Sequence, residues 1–129
     1  MMLEFELSLF INGHRKVISS PSWEDVHDSL KKLKGNAGSL YLEVVNLEGD
    51  GPERLSIESD GYYYMITLLE FIGGEGVVRT LNNFDAPTGN VMINGDCWCE
   101  KQVTTNFDVV YNLLYLIFFT GAIPIEMLT

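Results

Sequence analysis

Apolar residues occupy every odd position from Leu3 to Ile11, while Glu4, Glu6 and Ser8 hold most of the even ones. That alternation predicts a half-buried strand. Asn12-Gly13 supplies the positive-φ pair of a two-residue hairpin, and His14 to Ser19 returns as a second strand. The period then changes: Trp23, Val26, Leu30 and Leu33 fall on one stripe at helical spacing, which predicts a helix over about 22–34. Ser20 or Ser22 can cap it, Pro21 suits its first turn, and Glu24 and Asp25 complement the N-terminal dipole. Lys31, Lys32 and Lys34 close the last turn, with Gly35 as a left-handed stop.

From Ser39 onward the pattern is that of strands. Leu40 to Leu47 carries apolar residues on both parities, which predicts a central strand covered on both faces. Arg54–Ser59 and Tyr62–Phe71 flank Asp60-Gly61, a hairpin signal. With those two residues as the loop, Ser59 pairs with Tyr62, Ile57 with Tyr64 and Leu55 with Ile66. Gly73-Gly74-Glu75-Gly76 makes the next turn, Val77 to Leu81 a short strand, and 82–89 a loop. Val91–Ile93 and Asp96–Val103 form a third hairpin around Asn94-Gly95. A second helix over about 106–120 starts from Thr104, Thr105 or Asn106 and stops at Gly121 and Pro124. It is apolar almost all round, so it is expected to be enclosed by the sheet and the neighbouring chain. Sequential strands joined by tight turns imply an α+β fold: a mostly antiparallel sheet of about six to eight strands built from hairpins, packed against two helices.

At 129 residues and 47% hydrophobic content, the chain reads as a single globular domain, 1–129. Eighteen acids against eight bases give a formal charge of −10, which opposes binding to nucleic acid or an anionic membrane and favours a cationic partner. The imbalance is local. Residues 1–34 are neutral, and residues 35–129 hold thirteen acids against three bases. The opening MMLEFELSLFING has no basic n-region and is interrupted by Glu4 and Glu6, unlike a signal peptide. The apolar run Val109 to Ile125 is shorter than a bilayer span and contains Asn112, Gly121 and Pro124. A cytoplasmic protein that is monomeric when free is the expectation.

The chemistry-bearing residues form no catalytic constellation. His14 and His27 lack the sequence context of a catalytic base; His27 and Asp28 are adjacent, and neighbouring helix positions diverge. Cys97-Trp98-Cys99 lacks the second ligand pair of a zinc site and reads as buried or half-buried thiols beside the core. Asp96 with Glu100 and Glu58 with Asp60 are conceivable carboxylate pairs, but nothing in the sequence places either across a cleft. The glycine strings match neither a phosphate loop nor a calcium loop. Tyr62, Tyr63 and Tyr64 alternate along a strand and read as core packing with phenols at the rim. Neither metal nor cofactor is implied, and the protein is expected not to be an enzyme.

Acids concentrate in turns: Glu48, Asp50, Glu53, Asp60, Glu75, Asp85 and Asp96. Further, the chain combines a hairpin, a Trp-bearing capped helix (PSWEDVHDSLKKL), strands around LSIESDGYYYMI and a last hairpin (VMINGDCWCEKQVT). It ends in a helix and glycine-proline tail, FDVVYNLLYLIFFTGAIPIEMLT. This order resembles the small immunity proteins of bacterial polymorphic-toxin and contact-dependent growth inhibition systems, particularly their first-numbered family. The likeness is specific over Phe118, Phe119, Thr120, Gly121 and Pro124, and departs where Ile125-Glu126-Met127-Leu128 stands in place of an aromatic. It implies a non-enzymatic inhibitor that neutralises a cognate toxin domain, and a short last strand. The acidic turns suit a basic nuclease as that toxin, with aromatics such as Tyr41, Tyr63 or Trp98 as anchors. The alternative is a small ligand-binding or accessory interaction domain with no toxin partner.

Overall fold

The computed structural model describes residues 2–83 and 85–129; Met1 and Phe84, the latter within the predicted loop 82–89, lie outside the described residues. In chain order the elements are β1 (Phe5–Ile11), β2 (His14–Ser19), α1 (Trp23–Leu33), β3 (Ala37–Val44), β4 (Gly51–Asp60), β5 (Tyr64–Ile72) and β6 (Glu75–Thr80). There follow β7 (Asn90–Ile93), β8 (Asp96–Cys99), a 3-10 turn at Glu100–Gln102, β9 (Val103–Thr104) and α2 (Phe107–Thr120). This is the α+β architecture expected. A seven-stranded antiparallel sheet runs β2-β1-β3-β4-β5-β6, with β9 also pairing β5, and β7–β8 form a separate two-stranded sheet. Among the described residues no helix is long and apolar enough to cross a membrane.

Both helices cover one face. Leu7 and Leu9, Leu40 and Leu42, Leu55 and Ile57, and Ile66 and Leu68 project from successive strands onto Val26, Leu30 and Leu33 of α1 and Leu113, Leu114 and Ile117 of α2. Each such buried aliphatic side chain stabilises the fold by about 1.5–3 kcal/mol. A second, smaller cluster lies on the other face. There Val91 and Ile93 of β7 and Val103 pack on Met65, joined by Tyr63 and Trp98.

Ser22 caps α1 through a reciprocal box: its hydroxyl accepts from the Asp25 amide at 3.1 Å, and the Asp25 carboxylate accepts from the Ser22 amide at 2.9 Å. Pro21 therefore precedes the helix and does not sit in its first turn. Asn106 caps α2, accepting from the Asp108 amide at 3.0 Å, and Gly121 ends it at a φ of 73° that a side chain would disfavour.

Four expectations need correction. The β4–β5 register is shifted by two residues: Ser59 pairs with Tyr64, Ile57 with Ile66 and Leu55 with Leu68. The Asp60 carboxylate accepts from the amides of Tyr62 (2.9 Å) and Tyr63 (2.7 Å), which draws both tyrosines into a longer turn. An even shift keeps the paired side chains on their predicted faces, but Tyr62 leaves the strand and is 66% exposed while Tyr64 is buried. Second, β3 is central yet covered by helices on one face only, since Tyr41 and Glu43 look onto the opposite, partly open face. Third, α2 is not enclosed: Tyr115 and Phe119 are exposed and run with Tyr111 as an aromatic row beside Trp23. Fourth, the strand expected over Asp96–Val103 is broken by the 3-10 turn, which lets β9 reach β5.

Cys97 also differs from expectation, while Cys99 meets it. β8 packs inward through Trp98, opposite Val91, so the opposite parity faces away and Cys97 is exposed, with Cys99 half-buried. The short last strand implied by the resemblance shrinks to one pairing, in which Thr80 and Thr129 exchange backbone hydrogen bonds of 3.0 and 2.9 Å. Arg79 secures that tail. Its guanidinium, almost fully buried, donates to the carbonyls of Ile123 and Leu128 and to the Glu70 carboxylate at 3.1 Å.

Candidate functional site

At one end of the sheet the β3–β4 and β5–β6 turns meet. Gly73 and Gly74 take φ values of 60° and 80°, open to glycine, and so aim consecutive amides outward. Both donate to the Asp50 carboxylate, at 2.7 and 3.0 Å. These amides, Gly74 first, hold the Asp50 carboxyl below its ordinary value. Around this tie stand Glu48 and Glu75, both exposed, and half-buried Glu53 beside a β-bulge. Glu4 joins the same end: its amide donates to the Asn46 side chain at 2.8 Å, and its carbonyl accepts from Val45 at 2.9 Å.

The C-terminus of α2 points to this end as well. Leu3, Leu47, Pro52, Phe118 and Phe119 form an apolar groove of about 320 Å³, with Glu48 and Asp50 on its rim. Phe119 is 53% exposed there. Carboxylates on a rim and the negative pole of a helix make the groove a place for a cation with an aliphatic stem. Sequence reasoning found Glu48, Asp50, Glu53 and Glu75 but missed Leu47 and Phe119. The spacing of Tyr111, Tyr115 and Phe119 at four-residue intervals was a signal for the latter, obscured because the helix is apolar on nearly every side.

The other candidates lie elsewhere. Asp60 and Tyr63 are at the opposite end of β4–β5, where the Asp60 carboxylate is engaged by its own turn. Asp85 is exposed in the loop after β6. Asp96 and Trp98 belong to the β7–β8 hairpin and line a concavity of about 370 Å³ on the open sheet face, together with Tyr41, Arg54 and Glu58. Glu58 is its hub. It accepts from the hydroxyls of Ser39 and Tyr41 and from the Asn94 amide at 2.8 Å, which pins the hairpin to the sheet. Burial, and then the bond to Glu58, pushes the Tyr41 phenol above its ordinary value. Tyr41 is thus committed to this face and does not serve the acidic end.

His14 is exposed. His27 packs on Trp23 and Tyr111, and its Nδ1 lies 3.9 Å from the carboxylate of the adjacent Asp28. Among the described residues, no three His, Cys, Asp or Glu side chains gather in a metal-holding group.

The fold is similar to that in the crystal structure of a hypothetical protein from Neisseria gonorrhoeae, with a TM-score of 0.79 and 16% identity over 92% of this chain and 88% of that one. At that identity the likeness speaks for the fold alone. No curated protein matches the sequence. The match to a described family spans residues 4–127, nearly every element above, and on that ground the chain belongs to DUF6911, a family of unknown function.

Proposed function

We propose that this protein is an immunity-type inhibitor that acts in the cytoplasm, binding a cognate toxin domain with a basic surface and making no covalent change to it. One observation carries the reading: Glu48 and Asp50 rim the apolar groove of Leu47 and Phe119, and Glu53 and Glu75 lie within three residues of the tie that joins Asp50 to Gly73 and Gly74. The groove offers burial to an anchor residue, and the carboxylates desolvate against Lys or Arg of the toxin. A basic nuclease presents such residues where its substrate phosphates would lie. Attraction between opposite fields lifts association toward ~10⁸–10⁹ M⁻¹s⁻¹ at low salt. The order of elements, similar to that of immunity proteins, supports the same reading.

Co-expression with the toxic C-terminal domain of a large secreted protein encoded immediately upstream is expected to rescue growth and co-purify both chains. Reversal of Glu48, Glu53 and Glu75 to lysine slows association and removes its salt dependence, measured by stopped flow. Asp50 stays unchanged in that variant because it holds the two turns. Association unaffected by both the reversal and by salt would sink the electrostatic reading.

A second reading rests on the open-face concavity, where Tyr41, Arg54, Asp96 and Trp98 converge. It supports a small ligand-binding domain for a polar, ring-bearing molecule stacked on Trp98. A ligand that raises the melting temperature of the wild type and not of Trp98→Ala favours it over toxin binding.

A further inference from the structure

Five of the eight bases stand apart from the acidic surfaces: Arg15 and Lys16 on β2, and Lys31, Lys32 and Lys34 at the end of α1. Residues 1–34 are neutral as a stretch, and α1 carries Glu24 and Asp25 in its first turn and Lys31 and Lys32 in its last. β2 is the outermost strand on its side of the sheet. The ladder to β1 closes at Ile11–His14 and proceeds through Leu9–Lys16 and Leu7–Ile18. In an antiparallel pair closed by a two-residue turn these positions exchange hydrogen bonds, so the backbone N–H and C=O of Arg15 and Val17 point outward.

The opposite edge strand, β6, is paired on its outer side at Thr80, its last residue, with Thr129. Among the described residues no strand pairs with the outer edge of β2, and α1 lies over β1 and β3, leaving a groove between α1 and the edge. Two adjoining concavities of about 380 Å³ each make up this groove and share Lys16 and Lys32. Its floor is apolar, from Leu9, Ile11 and Ile18, and its rim is basic on balance: Lys16, Lys31 and Lys32 stand with Asp25 and Asp28, and Asp25 is already engaged by the Ser22 amide. Arg15 reaches the other face of the same strand, 5.4 Å above the Phe10 ring.

We propose that the outer edge of β2, with the groove between β2 and α1, docks an extended acidic segment of another protein as an additional antiparallel strand. The edge supplies main-chain hydrogen bonds at Arg15 and Val17, and alternate side chains of the segment enter the groove. Apolar residues of the segment meet Ile11 and Ile18, and its carboxylates meet Lys16 and Lys32 on one face and Arg15 on the other. Charge selects the occupant: a second copy pairing β2 with β2 would set Arg15 and Lys16 against their own equivalents. This surface is distinct from the acidic end and opposite to it in sign, so it stands whether or not that end binds a toxin.

The test uses the full chain and a labelled nine-residue peptide in which glutamates and valines alternate two by two, so that each face of the strand carries both, read by fluorescence anisotropy and by amide exchange. Two controls accompany it: a lysine–valine peptide and the acidic peptide N-methylated on alternate residues. The acidic peptide is expected to saturate and to slow exchange at Arg15 and Val17. N-methylation weakens binding about tenfold through lost main-chain bonds, and the lysine peptide does not bind. Lys16→Glu with Lys32→Glu, both on solvated surface, weakens the acidic peptide about tenfold. Val17→Pro removes one outward donor at an edge position and weakens it similarly. Absence of saturable binding, equal binding of the N-methylated peptide, or indifference to the lysine reversals overturns the proposal. So does concentration-dependent protection of Arg15 and Val17 without peptide, which would mean that a second copy occupies the edge.

Discussion

Asp50 shows how one carboxylate can have a structural duty inside a surface that otherwise looks like a charge patch. Its two oxygens are taken by Gly73 and Gly74, which ties turns more than twenty residues apart. Because these bonds depress its folded pKa, their contribution is present above the ordinary value of 3.8 and disappears as pH falls through the lower folded one. Asp50→Asn is therefore expected to lower the melting temperature at neutral pH, with the difference shrinking in acid. A difference that persists undiminished in acid would assign the effect to packing. Arg79 is the buried counterpart. Arg79→Met strands two carbonyls and Glu70 and is expected to cost about 3 kcal/mol. Urea unfolding measures the loss, and limited proteolysis near the C-terminus shows whether the tail detaches. Neither role was legible beforehand. Asp50 read as a turn acid and Arg79 as one more base, because both partners are distant in sequence.

Elements with local causes were legible. A serine cap on α1 (narrowed to Ser20 or Ser22), the Asn12-Gly13 turn and the Gly121 stop depend on residues within one turn of each other, so they follow from chemistry at short range; that Ser22 forms a reciprocal box with Asp25 is shown by the structure. Ser22→Ala is expected to destabilise the protein by about 1 kcal/mol, seen as a shift in the urea midpoint without a change in slope. The β4–β5 hairpin misled because Asp60-Gly61 satisfies a two-residue loop on its own terms. The Asp60 side chain recruits the Tyr62 and Tyr63 amides instead, and Ser59 accepts from Gly61 at 3.1 Å. Alternation could not detect the shift, since a two-residue slip preserves which face each paired side chain takes. A related limit applies to Asp96–Val103, where no glycine or proline marks the break at Glu100–Gln102 and only the pairing of β9 with β5 shows it.

The whole molecule is polarised: an acidic end around Glu48, Glu53 and Glu75, a basic edge along β2 and the end of α1, and a polar concavity on the open sheet face. Acids gathered at one end of a protein repel each other. Reversal of Glu48, Glu53 and Glu75 to lysine is accordingly expected to leave the melting temperature equal or higher at low salt, with the difference vanishing as salt rises. A fall would mean that these carboxylates hold the fold together. By itself the sequence determined most of the secondary elements, the α+β class and the buried face of β1, β4 and β5, since these arise from periodicity and short-range capping. It also determined the sign and segment of the excess charge. Only the tertiary structure decided which acids become neighbours, that Asp50 is occupied while Glu48 stays exposed, and that β2 lies at the edge of the sheet. Those outcomes depend on contacts between turns and strands far apart along the chain, and no local pattern encodes the closure of the β3–β4 turn onto the β5–β6 turn.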